Sequence, residues 1–378
     1  MKVIFVTLGF YPFRNSGFDV SGERFVRLLL EDGIKVTVIA GGDSRIRERY
    51  WHPNLRIIRL PFKKDNWIGY SLRAARLINN LDGITHFWDV YLAYFYQKEF
   101  VATLHQSFRQ RNEILSLHNI NLTSLLLYRL YYSLSKYLAE IPSINRSRYL
   151  LAVSKTTLKE YTHHYNVDEK KILLARHYID PDFFSKKREV EQLRNRFGLS
   201  KDIPILLFAG FINRRKGIEK LLEAIELVDY DVYLLIAGKW QSQNYRRSVF
   251  SKLSSTMRDK VIEIGFVPDD QMPYLYSLAD VYITTSLLEG FGLPIAESLA
   301  CETPVIAVES GATREVLGPG GLLLPEVDPL IIANSIQLLI KDKELRLYLG
   351  KVGRNHVIQE FNKDSLLCSV YQAYRTLS

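Results

Sequence analysis

The sequence predicts an α/β chain built from two doubly wound halves. Three observations carry this expectation. Short β-rich apolar runs alternate with segments of helical period along the whole chain, and complete βαβ units can be read in both halves. The length, 378 residues at roughly 150 per domain, leaves room for two to three cores.

The first half opens with the apolar run KVIFVTL (2–8), a loop rich in Gly and Pro, and a helical segment near 22–32 that ends at Gly33. KVTVIA (35–40) follows as a second strand and completes a crossover unit. Apolar runs at 56–60, 84–88, 100–104 and 149–153 extend the sheet. In the second half, IPILLFAGFI (203–212) reads as a buried strand. After it, Ile218, Leu221, Leu222, Ile225 and Val228 share one helix face. Further strands are expected at 232–238, 261–267, 280–286 and 304–310, separated by helices near 241–258, 270–278 and 293–301. The charged stretch 185–202 is either a linker or the first helix of the second domain. Domain boundaries are therefore placed at 1–184 and 185–360, with a C-terminal helix over 361–378. Two such sheets face to face would leave a cleft where a bisubstrate enzyme would hold its ligands.

Composition narrows the class. With 47% hydrophobic and 24% charged residues the chain is an ordinary globular one. Two cysteines, Cys301 and Cys368, exclude a disulfide scaffold and suggest a reducing compartment. No apolar run reaches about 18 residues, so no spanning helix is expected, and the first apolar stretch is too short for a signal peptide. The expected location is cytoplasmic. The net charge of +9 is uneven: residues 1–180 hold 26 Lys and Arg against 16 Asp and Glu, and the remainder 24 against 25. A basic first half suggests an anionic partner. Two segments there, 66–81 with Arg73 and Arg76 and 121–139 with Arg129 and Lys136, combine basic, aromatic and aliphatic side chains. Either packs internally or meets an anionic membrane, placing the protein peripherally on the inner face of the plasma membrane. No nucleic-acid motif is present, and none is expected as a partner.

The chemistry concentrates in 286–316, SLLEGFGLPIAESLACETPVIAVESGATREV. A strand ends near Ser286, a Gly-containing loop follows, and Pro294 suits the first turn of a helix. Amides near Phe291, Gly292 and Leu293 would then face an anion, aided by the helix dipole. Glu289 before the helix and Glu297 on it can both face one pocket and take hydroxyl groups. A surface glutamate and a capping glutamate beside a tight turn are the competing reading. No phosphate loop, GxGxxG, HExxH or Cys/His cluster occurs, so no metal or bound cofactor is expected. The acidic pair in DPD (180–182) reads as turn residues.

This segment resembles the signature of the retaining family-4 (group 1) glycosyltransferases, matching from Ser286 to Glu297 and again at Thr303, Pro304 and Val305. It departs from that signature at Ser298, at Glu302 where the family has Gly, and at Ala312 where a second Gly usually follows Gly311. FAGFINRRKGIEKLLEAIE (208–226) resembles the family's diphosphate-gripping loop, with Arg215 and Lys216 as the basic pair after Gly210. Phe211 stands where many members have Arg. VATLHQSF (101–108) resembles the strand that delivers a His, which makes His105 the candidate. The acceptor-side loop holds Gly17 and Gly22, but the family's Gly pair aligns with Val20 and Ser21.

The resemblance implies a GT-B architecture of two Rossmann-like domains, with the last helix packing on the first. It implies retaining, metal-independent transfer from a nucleotide diphosphate sugar to a glycan or lipid-linked glycan, in cell-surface polysaccharide or glycolipid synthesis. Glu289, His105, Lys216 and Arg215 would be catalytic. Glu297, Phe291, Gly292, Leu293 and Gly210 would bind the donor. The alternatives are a nucleotide-sugar epimerase or other enzyme of this fold, and a non-catalytic membrane-associated assembly factor.

Overall fold

A computed structural model describes residues 1–10, 17–42, 52–62, 66–117 and 121–377. The chain forms two compact units, one of residues 1–178 and 364–378, the other of residues 179–363.

The first unit is built on a seven-stranded parallel sheet: β1 (Lys2–Thr7), β2 (Lys35–Gly41), β3 (Leu55–Leu60), β4 (Ile84–Phe87), β5 (Val101–Leu104), β6 (Tyr149–Ala152) and β7 (Ile172–Leu174). Their order is β3-β2-β1-β4-β5-β6-β7. The register sets Lys2 opposite Lys35 and Phe5 opposite His86. Alternate residues of β1 supply two cores. Val3 and Phe5 face the helix Gly17–Glu31 and the last helix, Lys363–Tyr374, through Phe25, Leu29, Leu366 and Val370. Ile4 and Val6 face the helix Trp67–Ile78. Burial on both faces is why these strands read as continuous apolar runs. Buried His86 ties the last helix to the sheet, sharing hydrogen bonds with Tyr374 Oη (2.7 Å) and Thr103 Oγ1 (2.8 Å).

The second unit carries six parallel strands: β8 (Ile205–Ala209), β9 (Tyr233–Ala237), β10 (Val261–Gly265), β11 (Val281–Thr284), β12 (Val305–Val308) and β13 (Gly321–Leu324). The order β10-β9-β8-β11-β12-β13 reverses direction between β8 and β11. The carboxyl ends of adjacent strands at such a reversal are where ligands of open α/β sheets bind. The loops after β8 and β11 carry the basic pair and the Glu289 signature.

Several elements differ from the sequence reading. The first helix starts at Gly17 rather than near residue 22, so Gly17 opens the helix and Gly22 is a buried helix position, not part of a loop. A Cβ on Gly22 would lie 3.0 Å from the Trp88 indole nitrogen, so the glycine makes room for that ring against the helix. Residues 11–16 of that loop lie outside the described residues. The helix expected over 241–258 is two, Gln243–Phe250 and Ser255–Arg258, because Ser254 caps the second while Glu226 holds its N–H and hydroxyl. Within 185–202 there is one short helix, Glu191–Arg196. DPD is an Asx turn in which Asp180 Oδ1 accepts from the N–H groups of Asp182 and Phe183.

Candidate functional site

The loop after β8 makes a tight turn, Asn213 capping it by accepting from the Lys216 N–H (3.3 Å). Gly217 ends the turn in the left-handed region, φ 65°, and opens the helix Ile218–Ile225. A Cβ there would sit 2.4 Å from the Thr285 carbonyl oxygen, so only glycine lets the two loops approach. Thr285 Oγ1 donates to the carbonyls of Lys216 and Gly217, both at 2.9 Å, and the Leu287 N–H donates to the Arg215 carbonyl (2.8 Å). The β8 and β11 loops are thus one hydrogen-bonded assembly.

That assembly fixes three side chains. Lys216 Nζ donates to Glu289 Oε1, and the Arg215 guanidinium lies 3.9 Å from Glu289 Oε2 while donating to the Leu288 carbonyl. Lys216 and Glu289 are each 8% exposed, whereas Arg215 is partly open. Burial alone would raise the Glu289 carboxyl. The charges of Lys216 and Arg215, with hydrogen bonds from Lys216 and Ser286, outweigh it and hold the group below the usual carboxylate range. Lys216 is pulled below its usual range by burial, and by Arg215 beside it, against the attraction of Glu289. The cluster holds two cationic groups to one carboxylate, a surplus that suits an anion at the carboxyl ends of β8 and β11.

From the other side, the β12 loop holds Glu289 by its backbone. Gly311, φ 54°, packs against the Glu289 carbonyl, which accepts from the Ala312 N–H (3.0 Å). Ala312 itself has φ −85°, so a side chain is tolerated where the family commonly has a second glycine. Gly292, φ 98°, caps the helix Leu293–Ala300, whose amino end lies beside the loop. Phe291 is buried and packs edge-on against Phe361, ring centroids 5.1 Å apart, so its side chain serves packing. Gly210, φ 138°, ends β8, and a Cβ there would lie 3.7 Å from Lys216 Cε.

Glu297 is not in the Lys216 cluster: its buried carboxylate accepts from Tyr276 Oη (2.7 Å). Both Glu289 and Glu297 nonetheless act on the buried Tyr282 hydroxyl, pushing its ionisation upward after burial itself. Glu302 adopts φ 60°, the left-handed turn for which the family uses Gly. Its carbonyl occupies the space of a Cβ on Gly350, at 2.2 Å, so that position is restricted to glycine.

In the first unit His105 directly follows β5. Phe18, Trp88 and His177 surround its ring, with centroids at 4.8, 5.0 and 5.9 Å. Burial, then His177, drive its protonation well below the usual histidine range, opposed by a hydrogen bond to the Trp88 backbone. Nε2 is buried and has no hydrogen-bond partner among the described residues, so the neutral ring makes that bond at Nδ1. The neutral ring therefore carries its lone pair at Nε2. The sequence reading passed over His177, Tyr276 and Thr285. The last two lie ahead of the signature that begins at Ser286, but nothing in their spacing marks them.

Known proteins resemble the chain in family and fold. The family model described as Glycosyltransferase Family 4 matches residues 17–183, and that described as Glycosyl transferases group 1 matches residues 189–356. An uncharacterized glycosyltransferase of Methanocaldococcus jannaschii is 25% identical over 99% of this chain and 98% of its own. Sucrose-phosphate synthase from Thermosynechococcus elongatus superposes with TM-score 0.80 at 21% identity, covering 100% of this chain and 98% of its own. HepE of Anabaena in complex with UDP-glucose superposes with TM-score 0.76 at 17% identity, covering 100% and 99%.

Proposed function

Because the chain belongs to the group 1 glycosyltransferases and has their GT-B fold, we propose that it moves a sugar from a nucleotide diphosphate sugar to a glycan or lipid-linked glycan with retention at the anomeric carbon. The observation that carries the reading is the Arg215–Lys216–Glu289 cluster at the β8/β11 reversal. Leaving-group departure places growing negative charge on the diphosphate. Two preset cations and the amino end of the helix Leu293–Ala300 stabilise it with little reorganisation. This basic pair takes the role that a metal has elsewhere, so the reaction proceeds without one. As phosphate oxygens engage Lys216 and Arg215, Glu289 is released to accept from sugar hydroxyls.

Glu297, oriented by Tyr276, accepts from the ribose, and His105 accepts a hydroxyl proton through Nε2. With Glu289 engaged by sugar hydroxyls and Glu297 by the ribose, neither carboxylate serves as a nucleophile, so no covalent glycosyl-enzyme forms. The UDP-glucose bound to HepE supports a nucleotide-sugar donor here. The basic first half supports an acceptor that bears phosphate, in cell-surface polysaccharide or glycolipid synthesis on the cytoplasmic side.

A thermal-shift series with UDP-, GDP-, ADP- and dTDP-sugars tests the donor, since a ligand at 100 times Kd stabilises by about 2.7 kcal/mol. Proton NMR of the product then reads the anomeric configuration. No stabilisation by any donor, or an inverted product, would overturn the proposal. Conversion of donor alone to a second nucleotide sugar would indicate an epimerase.

A further inference from the structure

The helix Leu122–Ser135 of the first unit is apolar around most of its circumference but packs along only one side. Among the described residues, nine of the 21 exposed large apolar side chains fall within 122–138. Leu122, Leu126, Leu127, Leu130, Leu134 and Leu138 are 48–71% exposed. Leaving such a surface in water is unfavourable, and contiguous apolar patches of this kind mark interaction sites.

The inner side is firmly attached. Ser135 and Ala139 are buried, Tyr132 packs on Phe108 with centroids 6.1 Å apart, and Trp67 Nε1 donates to Tyr131 Oη (2.8 Å). Past the helix, a π turn at Lys136–Glu140 brings the Glu140 carboxylate inward to accept from Tyr161 Oη (2.7 Å) and Tyr165 Oη (2.6 Å). The leucines are therefore held outward on a fixed base. The other segment with interfacial composition behaves differently: the helix Trp67–Ile78 buries Trp67, Tyr70, Ala74 and Ile78 in the core and exposes Ile68.

We propose that the segment Leu122–Leu138 docks the protein on an anionic lipid surface. Residues 114–139 contain no Asp or Glu, and Arg129 and Lys136 supply positive charge beside the leucines. Tyr128 and Tyr137 are exposed among them, apolar rings with polar tips of the kind enriched where hydrocarbon meets headgroups. Anionic headgroups complement this set, whereas a second copy would oppose like charge to like. At 14 residues the helix lies on a bilayer rather than across it, and no described helix is long and apolar enough to span one. The surface lies toward the carboxyl ends of the strands, since the helix packs on Phe108–Glu113, which starts just beyond β5. The docking proposal stands independently of the reaction assigned above.

The test is flotation of the full chain with vesicles of phosphatidylcholine alone or with added phosphatidylglycerol, at low and high salt. Binding is expected to anionic vesicles at low salt, and to weaken on adding salt. The double variant Leu127→Asp/Leu130→Asp should lose at least about tenfold in binding while keeping its melting transition, because both side chains face water. Arg129→Gln, which leaves the apolar surface intact, should weaken binding about fivefold. The proposal is overturned if the wild type fails to float with anionic vesicles at low salt, or if the leucine variant binds as well as the wild type. It is equally overturned if the wild type is a dimer in solution that Leu127→Asp dissociates without changing flotation.

Discussion

The carbonyl oxygen of Glu289 occupies the space a side chain on Gly311 would need: a Cβ there would fall 1.9 Å from it. The loop that presents the Glu289 carboxylate to Lys216 is thereby set from behind by a residue 22 positions later. Gly311→Ala must displace that loop and also adopt φ 54° with a Cβ. The expected cost is about 2–4 kcal/mol of stability, with donor turnover lost more than proportionally. Denaturant melts and donor turnover on the same preparation check both.

Removing Lys216 leaves the buried Glu289 carboxylate with the more distant Arg215 and the Ser286 hydroxyl. Lys216→Ala is expected to destabilise by about 3 kcal/mol. Turnover should fall at least ~100-fold, since a preset charge on the leaving diphosphate is gone. Glu289→Gln, close in shape, should keep the fold and lose turnover, and unchanged turnover in both variants would favour the non-catalytic reading.

Glu289 also sets a pH signature. Its folded-state value lies below the ordinary 4.5, so its contribution to stability is complete above pH 4.5 and disappears as pH falls through the depressed value. The wild type should therefore lose stability more steeply than Glu289→Gln below pH 4.5, as measured by urea melts at successive pH values.

Glu302 carries backbone strain that a glycine would not. Glu302→Gly removes a left-handed residue with a side chain and should stabilise by about 0.5–1 kcal/mol, after the entropy lost by glycine is offset. Its distant contact with Lys186, at 4.0 Å on the surface, contributes little against this. Differential scanning calorimetry would show a raised Tm.

Histidines add a second pH dependence. His86 and His177 are pushed down to about 3 by burial, and His105 lies well below its ordinary 6.5. Below pH 6.5 the unfolded chain binds more protons than the folded one, so stability falls as pH drops from 6.5. His105→Asn should make this slope shallower, and lower kcat, with donor binding by the second unit unchanged. A nitrogen-15 NMR spectrum showing a protonated His105 ring at pH 5.5 would contradict the assignment.

Much of the fold was legible because its signals are local. Strands buried on both faces, such as Ile205–Ala209, must be continuous apolar runs, and Ile218, Leu221, Leu222 and Ile225 repeat at the helical period because one face meets the core. The Ser286–Glu297 signature likewise survives as a string, because a Gly turn and a helix start are made by neighbours. Less legible were features set by residues distant in sequence. Gly22 looked like loop flexibility but makes room for Trp88, and Glu297, eight positions from Glu289, is turned to Tyr276 instead of Lys216.

The sequence by itself determined two parallel α/β units, the family signature and an uneven charge, all encoded in runs, spacings and composition. Only the tertiary structure decided which apolar helix was covered: it buried most of Trp67–Ile78 and left the leucines of 122–138 outward. Only it brought the loops after β8 and β11 together, so that Lys216 meets a carboxylate 73 positions away. The physical reason is common to both. Periodicity reports that a face is apolar or a loop is charged, but strand order and long-range packing choose what that face or loop will touch.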